Sequence, residues 1–434
     1  MRTSSLLTSL VLTSALLVGC TDDGTTSTTA PAPAPSATEA VPSTGAPTTT
    51  KPADRTPEST EPAPAPVDGA LLGQEPIAAP TGVAATASRL TYRIEGATGD
   101  AVEATATLLT PASDAPADGW PLIVWAPGGS GLADACATGA SPDLLGQASF
   151  LAPALAAGVA VVVPDYEGVG TTAAATFRDS LSLAHATLGA ARAARATGSV
   201  AQQYAIAGYS VGGQAAIAAA EHAVEWAPDL TLVQVLSIAP APSSGEALTA
   251  HYDEQISAAV AVGDTGTATT LLATKTALLS FLIQGLSVRH PEVQLADFLG
   301  ANARALAGSV TERCVIDLIV GFYGDISGFV TGGGSLADYP GVLPGWFDQP
   351  DMAAALADNA YGTTAIDASV VVVHGPGDQI VPNEATLATV ESLGAAGTDV
   401  AYIETTATDH RAQLTAPETA AARDQLVQAL MGAA

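Results

Sequence analysis

Lysine occurs only at Lys51 and Lys275 in this 434-residue sequence, and acidic residues outnumber basic ones 43 to 14. Phosphate backbones are bound by clustered Lys and Arg, so the composition argues against nucleic acid as a partner and against a basic patch for anionic headgroups. The formal charge of -29 instead keeps an alanine-rich surface soluble. Cysteine is nearly absent. Cys20, Cys136 and Cys314 are too few for a small disulfide scaffold or a thiolate metal cluster. The six histidines show no His-x-x-x-His spacing, so no metal site is expected, and nothing in the sequence asks for a cofactor. No internal repeat is present.

The N-terminal stretch carries one early positive charge, Arg2, and an uncharged apolar run at 6–18. That run is too short and too interrupted by Ser and Thr to span a membrane, and it fits a secretory signal. Leu17-Val18-Gly19-Cys20 resembles the lipobox of bacterial lipoproteins, which implies a diacylglycerol thioether on Cys20 and a signal peptide of residues 1–20. Two or three acyl chains would anchor the protein stably to the outer face of a bacterial cell membrane. Residues 21–68 are mostly Thr, Pro, Ala and Ser, bury too little to fold, and read as an extended tether.

Residues 69–434 change character. Segments 90–94 and 102–109 alternate like a hairpin, and 121–126, 159–163 and 232–238 are short continuous apolar runs of the kind buried on both faces of a sheet. Helical stretches at 147–157, 177–196 and 213–224 fall between them. The alternation predicts an α/β fold, a mostly parallel sheet with helices on both faces. It stops at about 241–350, where helices at 247–262, 268–286 and 293–306 and then a glycine-rich segment read as a helical cap insertion. It resumes with a strand at 369–373, a helix at 383–393, a strand at 400–404 and a final helix at 417–431.

One stretch organises the chemistry. Gly208-Tyr209-Ser210-Val211-Gly212 lies between a strand and a helix, the context of a nucleophile elbow. The flanking glycines remove Cβ atoms where the chain reverses, and the helix start supplies free N–H groups and a positive dipole end. Asp378 follows a strand in His374-Gly375-Pro376-Gly377-Asp378, and His410 follows the next strand. Ser210, Asp378, His410 is the α/β-hydrolase order of nucleophile, acid and base. The imidazole would take the serine proton while the carboxylate fixes its tautomer. An oxyanion hole needs the N–H of Val211 and one from Pro127-Gly128-Gly129-Ser130-Gly131, for which Gly129 is the choice and Gly128 or Ser130 the alternatives. His374, at a strand end, reads as a packing residue.

The Pro127 to Gly131 loop, Cys136-Ala137, Asp165-Tyr166-Glu167-Gly168-Val169-Gly170, Gly208 to Ala215 and His374 to Pro382 together resemble the secretory lipase family, the lipase-A type of the α/β-hydrolase superfamily. The resemblance spans about 75–432. It implies hydrolysis of acylglycerols or other carboxylic esters, a helical cap, and Ser210, Asp378 and His410 as triad, with Asp165 as a possible support. The chain departs from the family at Pro127-Gly128, where members commonly carry His-Gly or an acidic variant. The expected function is an exported lipase or esterase acting on an acyl ester or lipid. A serine peptidase, a cell-wall polymer deacylase and a silent lipid-binding lipoprotein are the alternatives. With Cys20 acylated, Cys136 and Cys314 are the thiols left in an oxidising compartment and are expected to form a disulfide. Intact-mass analysis of membrane-extracted protein should show a diacylglycerol adduct on Cys20; an unmodified Cys20, or cleavage at another position, would refute the lipobox reading.

Overall fold

The continuous valine and isoleucine runs form the middle of the sheet because they are apolar on both faces. In the computed structural model, which describes residues 68–433, every residue of β4 (Trp120–Ala126) and β5 (Ala160–Pro164) is buried. The preceding strands, β1 (Ala70–Ile77), β2 (Ala85–Glu95) and β3 (Ala101–Pro111), form an antiparallel meander, and β3 pairs antiparallel with β5. β6 (Val200–Tyr209), β7 (Thr231–Ile238), β8 (Ser369–His374) and β9 (Val400–Glu404) extend the parallel part, giving the order β1-β2-β3-β5-β4-β6-β7-β8-β9. From β4 the chain goes first to β5 on one side and then to β6 on the other. Such a reversal leaves a crevice at the carboxyl ends of β4 and β6, the place where open α/β sheets bind ligands.

Helices cover both faces. α2 (Ser180–Ala196) and α3 (Val211–Trp226) pack on one, while α1 (Ala148–Ala156), α10 (His410–Thr415) and α11 (Pro417–Ala433) pack on the other, and each face has its own apolar cluster. α9 (Asn383–Ala396) sends Leu393 into the first cluster. The sheet with its two helical layers is the α/β-hydrolase architecture expected from the alternation of elements. Residues 1–67 carry the expected signal, lipobox and most of the tether, and these lie outside the described residues. Asp68, at the end of the expected tether, is buried. It accepts from the Glu95 N–H at 2.8 Å and pairs with His185 at 2.5 Å.

Between β7 and β8 the chain forms α4 (Gly245–Ala261), α5 (Thr265–Arg289), α6 (Ala301–Ala307), α7 (Val315–Thr331) and α8 (Pro350–Asp358). Two expectations are corrected here. The glycine-rich segment contains a full helix, α7, although Gly321, Gly324 and Gly328 each cost about 1 kcal/mol of helix propensity. Leu318, Phe322 and Ile326 recur every fourth position and bury in an apolar cluster that the insertion shares with Val211 and Ala215 of α3, which outweighs that cost. The helix expected over 293–306 is a 3-10 turn, Leu295–Phe298, followed by α6, with the break at Gly300, where the Pro340 backbone leaves no room for a side chain.

Cys136 and Cys314 form the expected disulfide, with Cα atoms 5.5 Å apart and a sequence separation of 178. Around it the loop after β4 pairs with the segment before α7. The Val315 N–H donates to the Ser130 carbonyl at 2.8 Å, and the Leu132 N–H to that of Arg313 at 3.3 Å. Closing so long a loop stabilises the folded state by up to about 5 kcal/mol through the entropy of the unfolded chain. Reduction, or paired Cys136→Ser and Cys314→Ser replacement, should therefore lower the thermal midpoint by several degrees in scanning calorimetry. An unchanged midpoint would show that the cross-link contributes nothing.

Candidate active site

Ser210 follows β6 directly, at the crevice, with backbone angles φ 59° and ψ -118°, a region L-residues occupy only when the surroundings enforce it. The enforcement is steric. A Cβ on Gly208 would overlap the Gly212 carbonyl, and one on Gly212 would overlap the Ala126 carbonyl of β4, so this crossing admits only glycine. The Ser210 N–H donates to the Ile238 carbonyl at 2.9 Å, and its carbonyl accepts from Gly213 and Ala241. The serine side chain makes no cap to α3 and is left for another partner.

That partner is His410, at the start of α10. Its Nε2 lies 3.0 Å from Ser210 Oγ, and its Nδ1 lies 2.6 Å from Asp378 Oδ2. The fold thus brings Ser210, His410 and Asp378 into one hydrogen-bonded row. Tyr209, next to the serine, stacks on the imidazole at 4.9 Å between ring centroids and donates its hydroxyl to the His410 carbonyl at 2.9 Å. Burial pushes the Tyr209 phenol well above its ordinary range, with the Asp378 charge adding to the effect, so it remains a neutral donor.

Asp378 is almost wholly buried. Its Oδ1 accepts from the Ile380 and Val381 N–H groups at 2.8 and 3.0 Å. Its Oδ2 accepts from His410 and also faces His374 Nε2 at 3.0 Å. Burial alone would raise the carboxyl, but the His374 and His410 hydrogen bonds, the His410 charge and the Val381 N–H overcome it and hold Asp378 well below the usual carboxylate range. His374 is correspondingly more than a packing residue: it is fully buried and bonded to the acid.

The loop after β4 lies against the elbow. A Cβ on Gly129 would come within 2.7 Å of Val211 Cγ2. Among the described residues neither the Gly129 nor the Val211 N–H has a protein acceptor. Gly128, the alternative to Gly129, has its N–H directed at Gln147 Oε1 at 3.4 Å, and the Pro127 carbonyl accepts from Tyr166 at 2.7 Å. Gln147 Oε1 also accepts from the Trp125 indole N–H at 3.0 Å; neither the Gln147 contacts nor the Tyr166 bond to Pro127 was evident from sequence, because the fold alone brings these residues to the loop. Asp165 contacts none of Ser210, Asp378 and His410. It accepts from the Gly139 N–H at 3.0 Å and Thr105 at 2.9 Å, and burial raises its carboxyl despite these bonds. Its place is to fix the loop that carries Cys136. No group of three or more His, Cys, Asp or Glu is arranged to hold a metal among the described residues. A groove of about 1070 Å³, lined by Ile256, Leu272, Val342, Trp346 and Phe347 among others, lies in the insertion, and none of the three row residues lines it.

An elbow serine at the end of a central parallel strand, with histidine and aspartate behind it, defines an α/β-hydrolase. The chain belongs to the secretory lipase family, whose model matches residues 144–423 and so spans Ser210, Asp378 and His410. A Mycobacterium tuberculosis protein named a probable inactive lipase is 25% identical over 329 residues, covering 73% of this chain and 68% of that protein. Candida antarctica lipase A in its closed state is similar in structure, with a TM-score of 0.59, 20% identity and coverage of 79% of this chain and 78% of that one. The rice cell wall degrading esterase LipA from Xanthomonas oryzae superimposes with a TM-score of 0.62 at 19% identity, covering 84% of this chain and 99% of the other.

The depressed Asp378 has a defined effect on stability. Its contribution is fully present above the unfolded carboxylate range, near about pH 4, and is lost as pH falls through the lower folded value. Asp378→Asn should cost about 3 kcal/mol near neutral pH, and the gap between parent and variant should close below about pH 4. Denaturant midpoints measured across that range check this; a gap independent of pH would contradict it.

Proposed function

We propose that this chain is an exported serine carboxylic-ester hydrolase, a lipase or esterase working through an acyl-enzyme and held to the outer face of the membrane by acylated Cys20. The observation that carries the reading is the unbroken row from Ser210 Oγ through His410 to Asp378 at a strained elbow. Family membership supports the reaction class, and the tether of residues 21–68 supports presentation at a distance from the membrane.

In the first half-reaction His410 Nε2 takes the Ser210 proton as Oγ attacks the acyl carbon. The carbonyl oxygen becomes an oxyanion that the Val211 and Gly129 N–H groups receive. His410 then returns the proton to the departing alkoxide as the ester C–O bond breaks, and the alcohol leaves. In the second half-reaction water takes the place of the alcohol: His410 removes its proton as the oxygen adds to the acyl carbon, then returns that proton to Ser210 Oγ as the acyl–Oγ bond breaks and the acid leaves. Asp378 keeps Nδ1 protonated throughout and favours the imidazolium. The helical insertion, with its apolar groove, is the segment we assign to acyl selection.

The word inactive in the name of the M. tuberculosis relative favours a second reading, a catalytically silent protein. Labelling separates the two. The parent should react with a fluorophosphonate and hydrolyse p-nitrophenyl esters. Ser210→Ala should refuse the label, lose ester turnover by at least about a thousandfold, and keep the parent's thermal midpoint. An unlabelled parent, a label on another serine, or a Ser210→Ala protein retaining most turnover would overturn the proposal.

A further inference from the structure

Asp378 Oδ2 is shared by two imidazoles. His410 Nδ1 approaches it at 2.6 Å and His374 Nε2 at 3.0 Å, and on its other side His374 Nδ1 meets Thr386 Oγ1 at 2.8 Å. His374 is fully buried at the end of β8, and Thr386 is buried on α9. A neutral His374 has one arrangement that satisfies both contacts: Nε2–H donates to Asp378 while Nδ1 accepts the Thr386 hydroxyl. Tyr402 of β9 tightens the same corner by donating to the His374 carbonyl at 3.0 Å.

We propose that His374 is a positioning residue: by donating to the same carboxylate oxygen that His410 uses, it fixes Asp378 and tunes the pH at which His410 becomes competent as the base. The inference rests on the proposed roles of Ser210, Asp378 and His410.

The physical reason is competition for one anionic oxygen. Each donor on Oδ2 stabilises the carboxylate and draws on the same electron density, so a second donor weakens the hold of Asp378 on a protonated His410. With His374 in place, the pull of Asp378 is divided between two imidazoles, and the serine is activated at lower pH. The other titratable groups around this pair are Tyr209 from β6 and His251 and Tyr252 from α4, which feel the Asp378 charge, and Tyr402 from β9. One step further out, Arg411 and Asp409 act on Tyr209, and Glu404 and Glu384 act on Tyr402. Among the described residues only the two imidazoles bond to Oδ2.

The test is the pH dependence of kcat/KM on a soluble p-nitrophenyl ester. His374→Phe fills the space without a donor. It should move the acid limb upward by about half a pH unit and lower kcat about tenfold, with KM little changed. His374→Gln, which restores an N–H, should bring the acid limb back to its parental position. Thr386→Val leaves the imidazole but removes the hydroxyl that orients it, and should move the limb in the same direction by less. An unshifted limb in a folded His374→Phe protein that still takes a fluorophosphonate at Ser210 would overturn this inference alone. Equal losses in the Phe and Gln variants would also overturn it, since they would indicate packing. Should His374→Phe fail to fold, Thr386→Val decides by the same limb. A parent labelled at a serine other than Ser210 would overturn the triad reading itself and this inference with it.

Discussion

The site depends on one close approach. For Ser210 to reach the end of the sheet and be followed immediately by a helix, the backbone of α3 must pass β4 with nothing between Gly212 and the Ala126 carbonyl. Everything near the serine follows from that contact. It forces the positive φ at Ser210, turns the side chain away from its own helix, and leaves the Val211 N–H at the helix start without a protein acceptor. It also lies at the crevice between β4 and β6, so the loop leaving β4 meets the elbow without any further device.

Electrostatics completes what sterics begins. A buried carboxylate is stable as an anion only when its oxygens are hydrogen-bonded, and Asp378 meets this with two backbone N–H groups on one oxygen and two imidazoles on the other. The turn after β8 supplies the first pair, and β8 itself and α10 supply the second. The anion is therefore assembled from three parts of the chain, and among the described residues no lysine or arginine pairs with it, so its charge faces the two imidazoles.

Much of this was legible in the sequence, and the exceptions have physical causes. The buried strands announced themselves as unbroken apolar runs, so the α/β architecture and its parallel centre were readable. β1 was not, because it is a half-exposed edge strand containing Gly73, Glu75 and Pro76, with no apolar alternation to betray it. α7 was hidden by its glycines, since its stability comes from tertiary burial of Leu318, Phe322 and Ile326. The cysteine pair was readable because so few thiols exist to choose from. Ser210, Asp378 and His410 were readable from their flanks and order. The second imidazole on Asp378 was not, because whether His374 points at the acid or into the core is decided by the turn geometry after β8, which spacing does not encode.

The disulfide beside the elbow also has a mechanical consequence. The insertion leaves the sheet from β7 and returns to β8, two adjacent strands, so these crossings act together as nearly a single pivot. The Cys136–Cys314 bond adds a second pivot at the β4 loop, two strand spacings from β7, or about 10 Å. Further along, the insertion is fastened again by the Arg289–Asp179 ion pair at 2.7 Å and by Asn359, which holds Ser180 through two hydrogen bonds. Turning it as one rigid body would break these contacts. Widening above Ser210 therefore comes most cheaply from bending within the insertion itself, and residues 130–132 move with the segment 313–315 to which they are paired.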